Sequence, residues 1–104
     1  MEKERRRELH QILVDILGSS NVYFQPPESV KLNYPCIVYS RDNIRITYAD
    51  NRNYREKTRY QITYISKDPD DTAVTRKLRE MKYCTFNRHY PADNLYHDVY
   101  LIYY

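Results

Sequence analysis

Tyr54-Arg55-Glu56-Lys57-Thr58-Arg59-Tyr60-Gln61-Ile62-Thr63-Tyr64-Ile65 is the stretch that decides the fold. In its second half Tyr60, Ile62 and Tyr64 point one way, and Arg59, Gln61 and Thr63 point the other. That two-residue period is the mark of a strand with one buried face. The polar sequence Ala49-Asp50-Asn51-Arg52-Asn53 comes just before it. Asn and Asp tolerate the left-handed conformation, so this stretch predicts a hairpin without a glycine. Further upstream, Ile44-Arg45-Ile46-Thr47-Tyr48 alternates in the same way, and Cys36-Ile37-Val38-Tyr39 reads as a buried strand after Pro35. Val22-Tyr23-Phe24 reads as a short strand cut off by Pro26-Pro27.

A sheet of this kind needs a layer over its apolar face, and two helical segments supply it. Leu9, Ile12, Leu13, Ile16 and Leu17 recur at spacings of three and four, one stripe of an α-helix. Glu2 and Glu4 suit its positive end, and Gly18, the only glycine, falls where a helix takes a left-handed last residue. Downstream of the decisive strand, Asp68-Pro69-Asp70-Asp71 carries the capping and first-turn residues of a second helix. Val74, Leu78 and Met81 give that helix a narrow stripe. Two strands finish the chain, Cys84 to Arg88 and Leu95 to Tyr103, joined by Tyr90-Pro91-Ala92-Asp93-Asn94. The order is helix, three or four strands, helix, two strands; helices and strands are segregated, so the class is α+β. The expectation is an antiparallel sheet with an N-terminal helix and a second short helix packed on it, in a single domain over residues 1–104.

Composition narrows the class of function. The chain has 104 residues with 17 basic against 14 acidic side chains, so the net charge is only +3. Apolar runs reach six residues at most, Val99 to Tyr104, far below the roughly 20 that cross a bilayer, and Met1 to Arg7 lacks the apolar core of a secretory signal. The expected compartment is the cytoplasm, with Cys36 and Cys84 as reduced thiols. One glycine builds no dinucleotide loop, Walker loop or nucleophile elbow. A nucleophile would have to be Cys36 or Cys84 with His89 or His97 as base, yet Cys36 lies in an apolar strand where a thiol is an inert small hydrophobe. Cys84, His89 and His97 lack the close ligand pair of a zinc site. Asp68, Asp70 and Asp71 lack the glycine and the glutamate of a calcium loop. The reading is therefore no enzyme, no metal and no cofactor.

Two binding readings remain. Arg55, Lys57 and Arg59 share one face of their strand beside tyrosines, the equipment of a surface that holds single-stranded nucleic acid by phosphate contacts and stacking. Glu56 and the acidic Asp68 to Asp71 run dilute that field, so nucleic acid is the less favoured partner. The 13 tyrosines, with no tryptophan and two phenylalanines, carry more information. Tyr39, Tyr60 and Tyr64 are placed to fill a core, and Tyr96 and Tyr100 share a face of the last strand. Tyr103 and Tyr104 close the sequence, and Tyr23, Tyr48, Tyr54 and Tyr90 fall near element ends. A phenol buries a large ring and keeps its hydroxyl at a wet boundary, which suits protein interfaces. Self-association is the favoured reading.

The order of several short motifs resembles small neck and tail proteins of long-tailed bacteriophages. They are Val22-Tyr23-Phe24-Gln25-Pro26-Pro27, Tyr34-Pro35-Cys36-Ile37-Val38-Tyr39, Tyr60-Gln61-Ile62-Thr63-Tyr64, Lys67-Asp68-Pro69-Asp70, and Tyr90-Pro91-Ala92-Asp93-Asn94-Leu95-Tyr96-His97. Together they span nearly the whole chain after Gly18 and are most similar to the tail terminator, also called tail completion or minor capsid protein. The resemblance implies a helix, an antiparallel sheet and a second helix, assembled as a hexameric ring. Such a ring caps the tail tube, ends its polymerisation and joins it to the head connector in the tail-neck region of the virion. Its implied partners are further copies of the chain, the tail-tube protein and the head-closure or connector protein. A head-closure or head-tail connector protein is the nearest alternative. From exposure and turn chemistry the expected contacts are Asp50, Asn51, Arg52, Asn53, Arg55, Lys57 and Arg59, then Tyr90, Asp93, Asn94, Tyr103 and Tyr104. Charge of both signs, as at Arg55, Glu56, Lys57 and Arg59, would fix the register of subunits.

Overall fold

A computed structural model describes the backbone of residues 2–49, 52–68, 70 and 72–104, and the side chains of 4–42, 58–68, 70 and 72–104. The chain runs α1 (Glu2–Leu17), β1 (Val22–Phe24), β2 (Cys36–Ala49), β3 (Arg52–Ser66), α2 (Ala73–Arg79), β4 (Cys84–Ala92) and β5 (Leu95–Tyr103). The five strands form one sheet in the order β1-β2-β3-β5-β4. The α+β class, the N-terminal helix and the second short helix are as expected. The sheet differs in being mixed: β1 pairs parallel to β2, with Val22 opposite Ile37 and Phe24 opposite Tyr39, while every other pair is antiparallel. The long connection 25–35 carries the chain back to start β2 in the direction β1 had taken.

The alternating pattern at Tyr60, Ile62 and Tyr64 places these side chains on the face that both helices cover. Register adds Ile37 and Tyr39 of β2 and Tyr100 and Ile102 of β5 to the same face. Leu9 and Leu13 of α1 and Val74 and Leu78 of α2 close over them, and all eleven are buried in one cluster. Four tyrosines, at 39, 60, 64 and 100, are the largest side chains that are fully buried. With so few phenylalanines available, phenol rings do the filling that aliphatic cores leave to Leu and Phe. Gly18 ends α1 at φ +73°, its amide donating to the Val14 carbonyl at 2.9 Å, the left-handed stop that glycine accepts without a Cβ clash.

Three boundaries are settled by the structure. Of the three or four strands expected before the second helix there are three, because the segments around Tyr39 and Ile44 are one strand: a bulge between Arg41 and Asn43 absorbs the polar run, and pairing with β3 continues past it. The helix α2 is capped at Thr72 without a side-chain bond, whereas Asp68 accepts from the Asp70 amide at 2.9 Å in a turn ahead of the helix. Pro69 and Asp71 lie outside the described residues. Tyr90 and Pro91 belong to β4, opposite His97 and Tyr96, so the connection to β5 shrinks to Asp93-Asn94, with φ of 54° and 62°. Two consecutive left-handed residues make the hairpin turn whose twist matches the strands it joins. Pro91 is tolerated because β4 is an edge strand and needs no amide on its outer side.

The strands are unequal, and that gives the molecule its shape. β5 accompanies β3 only from Ser66 to Arg59, and β1 accompanies β2 only as far as Tyr39. Beyond those points, and past the Tyr104 contact at Thr58, Ile44–Ala49 and Arg52–Lys57 run beside no other strand among the described residues, a two-stranded arm that leaves the body of the sheet. Strands of 14 and 15 residues at ~3.3 Å per residue reach ~46–50 Å, and the molecule measures 51 × 26 × 23 Å.

Candidate functional site

The base of the arm is held by charge and the end of β5. Arg59 forms an ion pair with Asp42 at the bulge of β2, both side chains about a third exposed. Tyr103 lies directly opposite Arg59 in the β3–β5 ladder. The Tyr104 amide donates to the Thr58 carbonyl at 3.1 Å, which ties the last residues to β3 where the arm begins. Arg5 then reaches from α1: its Nε donates to the Tyr104 carbonyl at 3.0 Å, and its guanidinium lies 5.6 Å from the Tyr104 ring centroid. The Tyr104 hydroxyl donates to Glu8 at 3.3 Å. Burial first, and the Glu8 charge second, push the Tyr104 phenol up.

A cleft of about 380 Å³ opens beside this junction, lined by Arg5, Ile12, Met81, Lys82, Tyr83, Tyr103 and Tyr104. Tyr83 is its most unusual residue. It stands at φ +63° without being glycine, is 56% exposed, and carries the Lys82 ammonium 5.2 Å from its ring centroid. Its carbonyl accepts from the Tyr103 amide at 3.3 Å, so the strained residue is tied to the end of β5. Two cations, three phenol rings and two aliphatic side chains thus share one concave surface. Such a surface binds an acidic group next to an apolar one.

The opposite end of the sheet carries a second polar cluster. The Tyr90 and His97 rings stack at 4.7 Å and 8°. On the other face of the same strand pair, His89 Nδ1 lies 2.6 Å from Asp98 Oδ1 while its ring stacks on Tyr96 at 6.2 Å and 13°. The Asp93-Asn94 turn lies just beyond. Five to seven residues of β5 separate Tyr96, His97 and Asp98 from Tyr103, or ~17–23 Å.

The sequence-derived contact residues therefore fall into separate groups. Arg59, Tyr103 and Tyr104 come together at the arm's base. Tyr90, Asp93 and Asn94 sit at the far end of the sheet. Asp50 and Asn51 lie outside the described residues, as do the side chains of Arg52, Asn53, Arg55 and Lys57; the backbone of these four pairs with Ala49, Tyr48, Thr47 and Arg45. The cleft residues Arg5, Met81, Lys82 and Tyr83 escape sequence reasoning about a site. The one signal that could have pointed to them is Lys82-Tyr83, a cation and an aromatic between helix and strand.

The thiols are placed against chemistry. Cys36 is fully buried and Cys84 half-buried, and desolvation pushes each thiol up to about 11. A reactive cysteine needs the opposite shift. Among the described residues no three His, Cys, Asp or Glu side chains gather as a metal site would require. No helix among them is long and apolar enough to cross a membrane. No family model, curated protein or solved structure matches the chain.

Proposed function

We propose that this protein is a structural assembly subunit of the tail-terminator kind, which caps a phage or prophage tail tube as a ring of identical copies and joins it to the head connector. The observation that carries the reading is the arm. Along Ile44–Ala49 and Arg52–Lys57 no third strand accompanies the pair among the described residues, so both sides are open strand edges, and an isolated hairpin is marginally stable in water. Such an arm gains its stability by lying against another subunit. The tyrosine-lined junction at its base supplies rings and cations of the kind interfaces bury.

The test is to mix the purified chain with polymerising tail-tube subunits and view the products by electron microscopy. The reading expects tubes that stop growing and carry a ring of added density at one end. Tubes that grow unchecked contradict it. A head-closure protein would instead decorate the connector and leave tubes uncapped. A nucleic-acid-binding domain, suggested by the spacing of Arg55, Lys57 and Arg59, would bind DNA tightly with a steep loss of affinity on adding salt.

A further inference from the structure

Two exposed features on opposite flanks of the sheet match each other. One is the cleft on the β5–β4 side, where Arg5 and Lys82 flank phenol rings and Ile12 and Met81 add an apolar lining. The other follows β1, on the opposite flank. There the Val30 amide donates to the Pro27 carbonyl at 3.0 Å, closing a tight turn with Glu28 and Ser29 at its corner. Glu28 is exposed, and Val30 is 38% exposed although aliphatic. A hydrogen bond from the Asn33 amide to the Tyr23 hydroxyl, 3.3 Å, fastens the far side of the connection to β1. The turn is thus a small preformed knob with one carboxylate and one apolar side chain.

β2, β3 and β5 stand between β1 and β4. Neighbouring strands are ~4.8 Å apart, which puts the two flanks ~19 Å from one another. A turn held to β1 cannot fill the cleft of its own molecule. A knob on one flank and a matching hole on the other is the arrangement of a head-to-tail contact, the type that closes into rings or runs into filaments.

We propose that the Pro27–Val30 turn of one copy docks in the Arg5–Lys82–Tyr83 cleft of the next, an inference that rests on the self-assembly reading above. Glu28 lies between the two cations, and Val30 packs against Ile12, Met81 and the phenol rings. Lys31, one residue further on, meets Glu8, whose carboxylate already holds the Tyr104 hydroxyl at the cleft's rim. Both signs of charge are then paired, which fixes orientation as well as contact. A turn in a cleft of this size buries much less than the roughly 1,200–2,000 Å² of a stable interface. It is one anchor of a larger contact, and the free chain associates weakly.

Charge exchange tests the pairing. Glu28→Arg alters the knob; Lys82→Glu, alone and with Arg5→Glu, alters the hole. All three positions are exposed, and circular dichroism checks that each variant folds. Sedimentation velocity over a concentration series is expected to show association by the wild type and at least a roughly tenfold loss in each variant. Mixing Glu28→Arg with the Arg5→Glu/Lys82→Glu double variant restores it, since each then offers the charge the other needs. Failure of the mixture to recover overturns the proposal. Association that survives both variants overturns the knob-in-hole contact and leaves the ring reading standing. A wild type that stays monomeric at all concentrations and also fails to cap tubes overturns both. A short single-stranded oligonucleotide whose binding is lost in Lys82→Glu while association is unchanged assigns the cleft to nucleic acid and likewise overturns the proposal.

Discussion

Tyr39 shows how a core built from phenols disposes of its hydroxyls. Its oxygen lies 2.7 Å from His10 Nδ1 and accepts from Arg6 at 3.5 Å, while Arg6 also lies over the Phe24 ring at 4.4 Å. Burial, and secondarily the Arg6 charge, lower the His10 pKa below its ordinary 6.5. The imidazole is then neutral, with Nδ1 accepting the Tyr39 proton. A base whose pKa falls on folding contributes stability that is full above about pH 6.5 and drains away as pH drops below it. Urea midpoints of wild type and His10→Gln at several pH values should therefore converge on acidification, as the wild type loses an advantage the variant never had. Parallel curves would contradict the assignment. Tyr60 is the contrasting case, since its buried hydroxyl has no hydrogen-bond partner among the described residues. Tyr60→Phe removes that unsatisfied group and should leave stability equal or raise it by roughly 1 kcal/mol; a loss of similar size would show the hydroxyl to be satisfied. With both thiols at about 11, only roughly a thousandth is ionised at pH 8. Alkylation of the native chain should be far slower than that of free cysteine, and rapid labelling would contradict the burial of these groups.

At the scale of elements, periodicity made the helices and the long strands legible. The stripe from Leu9 to Leu17 lies on the sheet, with Leu9 and Leu13 fully buried, and Leu13→Ala should cost about 2–5 kcal/mol by denaturant titration. What stayed hidden has physical causes. Ser40-Arg41-Asp42-Asn43 looks like a turn because it is polar, yet a bulge and the Asp42–Arg59 ion pair carry the strand through it. A three-residue strand such as β1 carries no signal of its direction, so its parallel pairing could not be foreseen. The cleft joins residues from the start, the last third and the end of the chain, and spacing along a sequence does not report such meetings. The arm offers the element-scale prediction. Replacing residues 45–57 by Asn-Gly leaves the pair Ile44–Thr58 to close the hairpin. Thermal unfolding should be little changed, because the removed strands pair only with each other, while tube capping should be lost. A variant that unfolds would show the arm to be part of the fold's stability.

The whole molecule is an elongated body, 51 Å in its long dimension, with an unpaired arm, a knob on one flank and a hole on the other. The proposed function gives each of these a use between copies of the chain. The measurement closest to that claim is the length of tails in particles made with and without this chain, by electron microscopy. The account predicts that without it tubes overgrow to irregular lengths and stay detached from filled heads, and that wild-type chain supplied in trans restores both. Tails of normal, uniform length joined to heads in its absence would contradict the account.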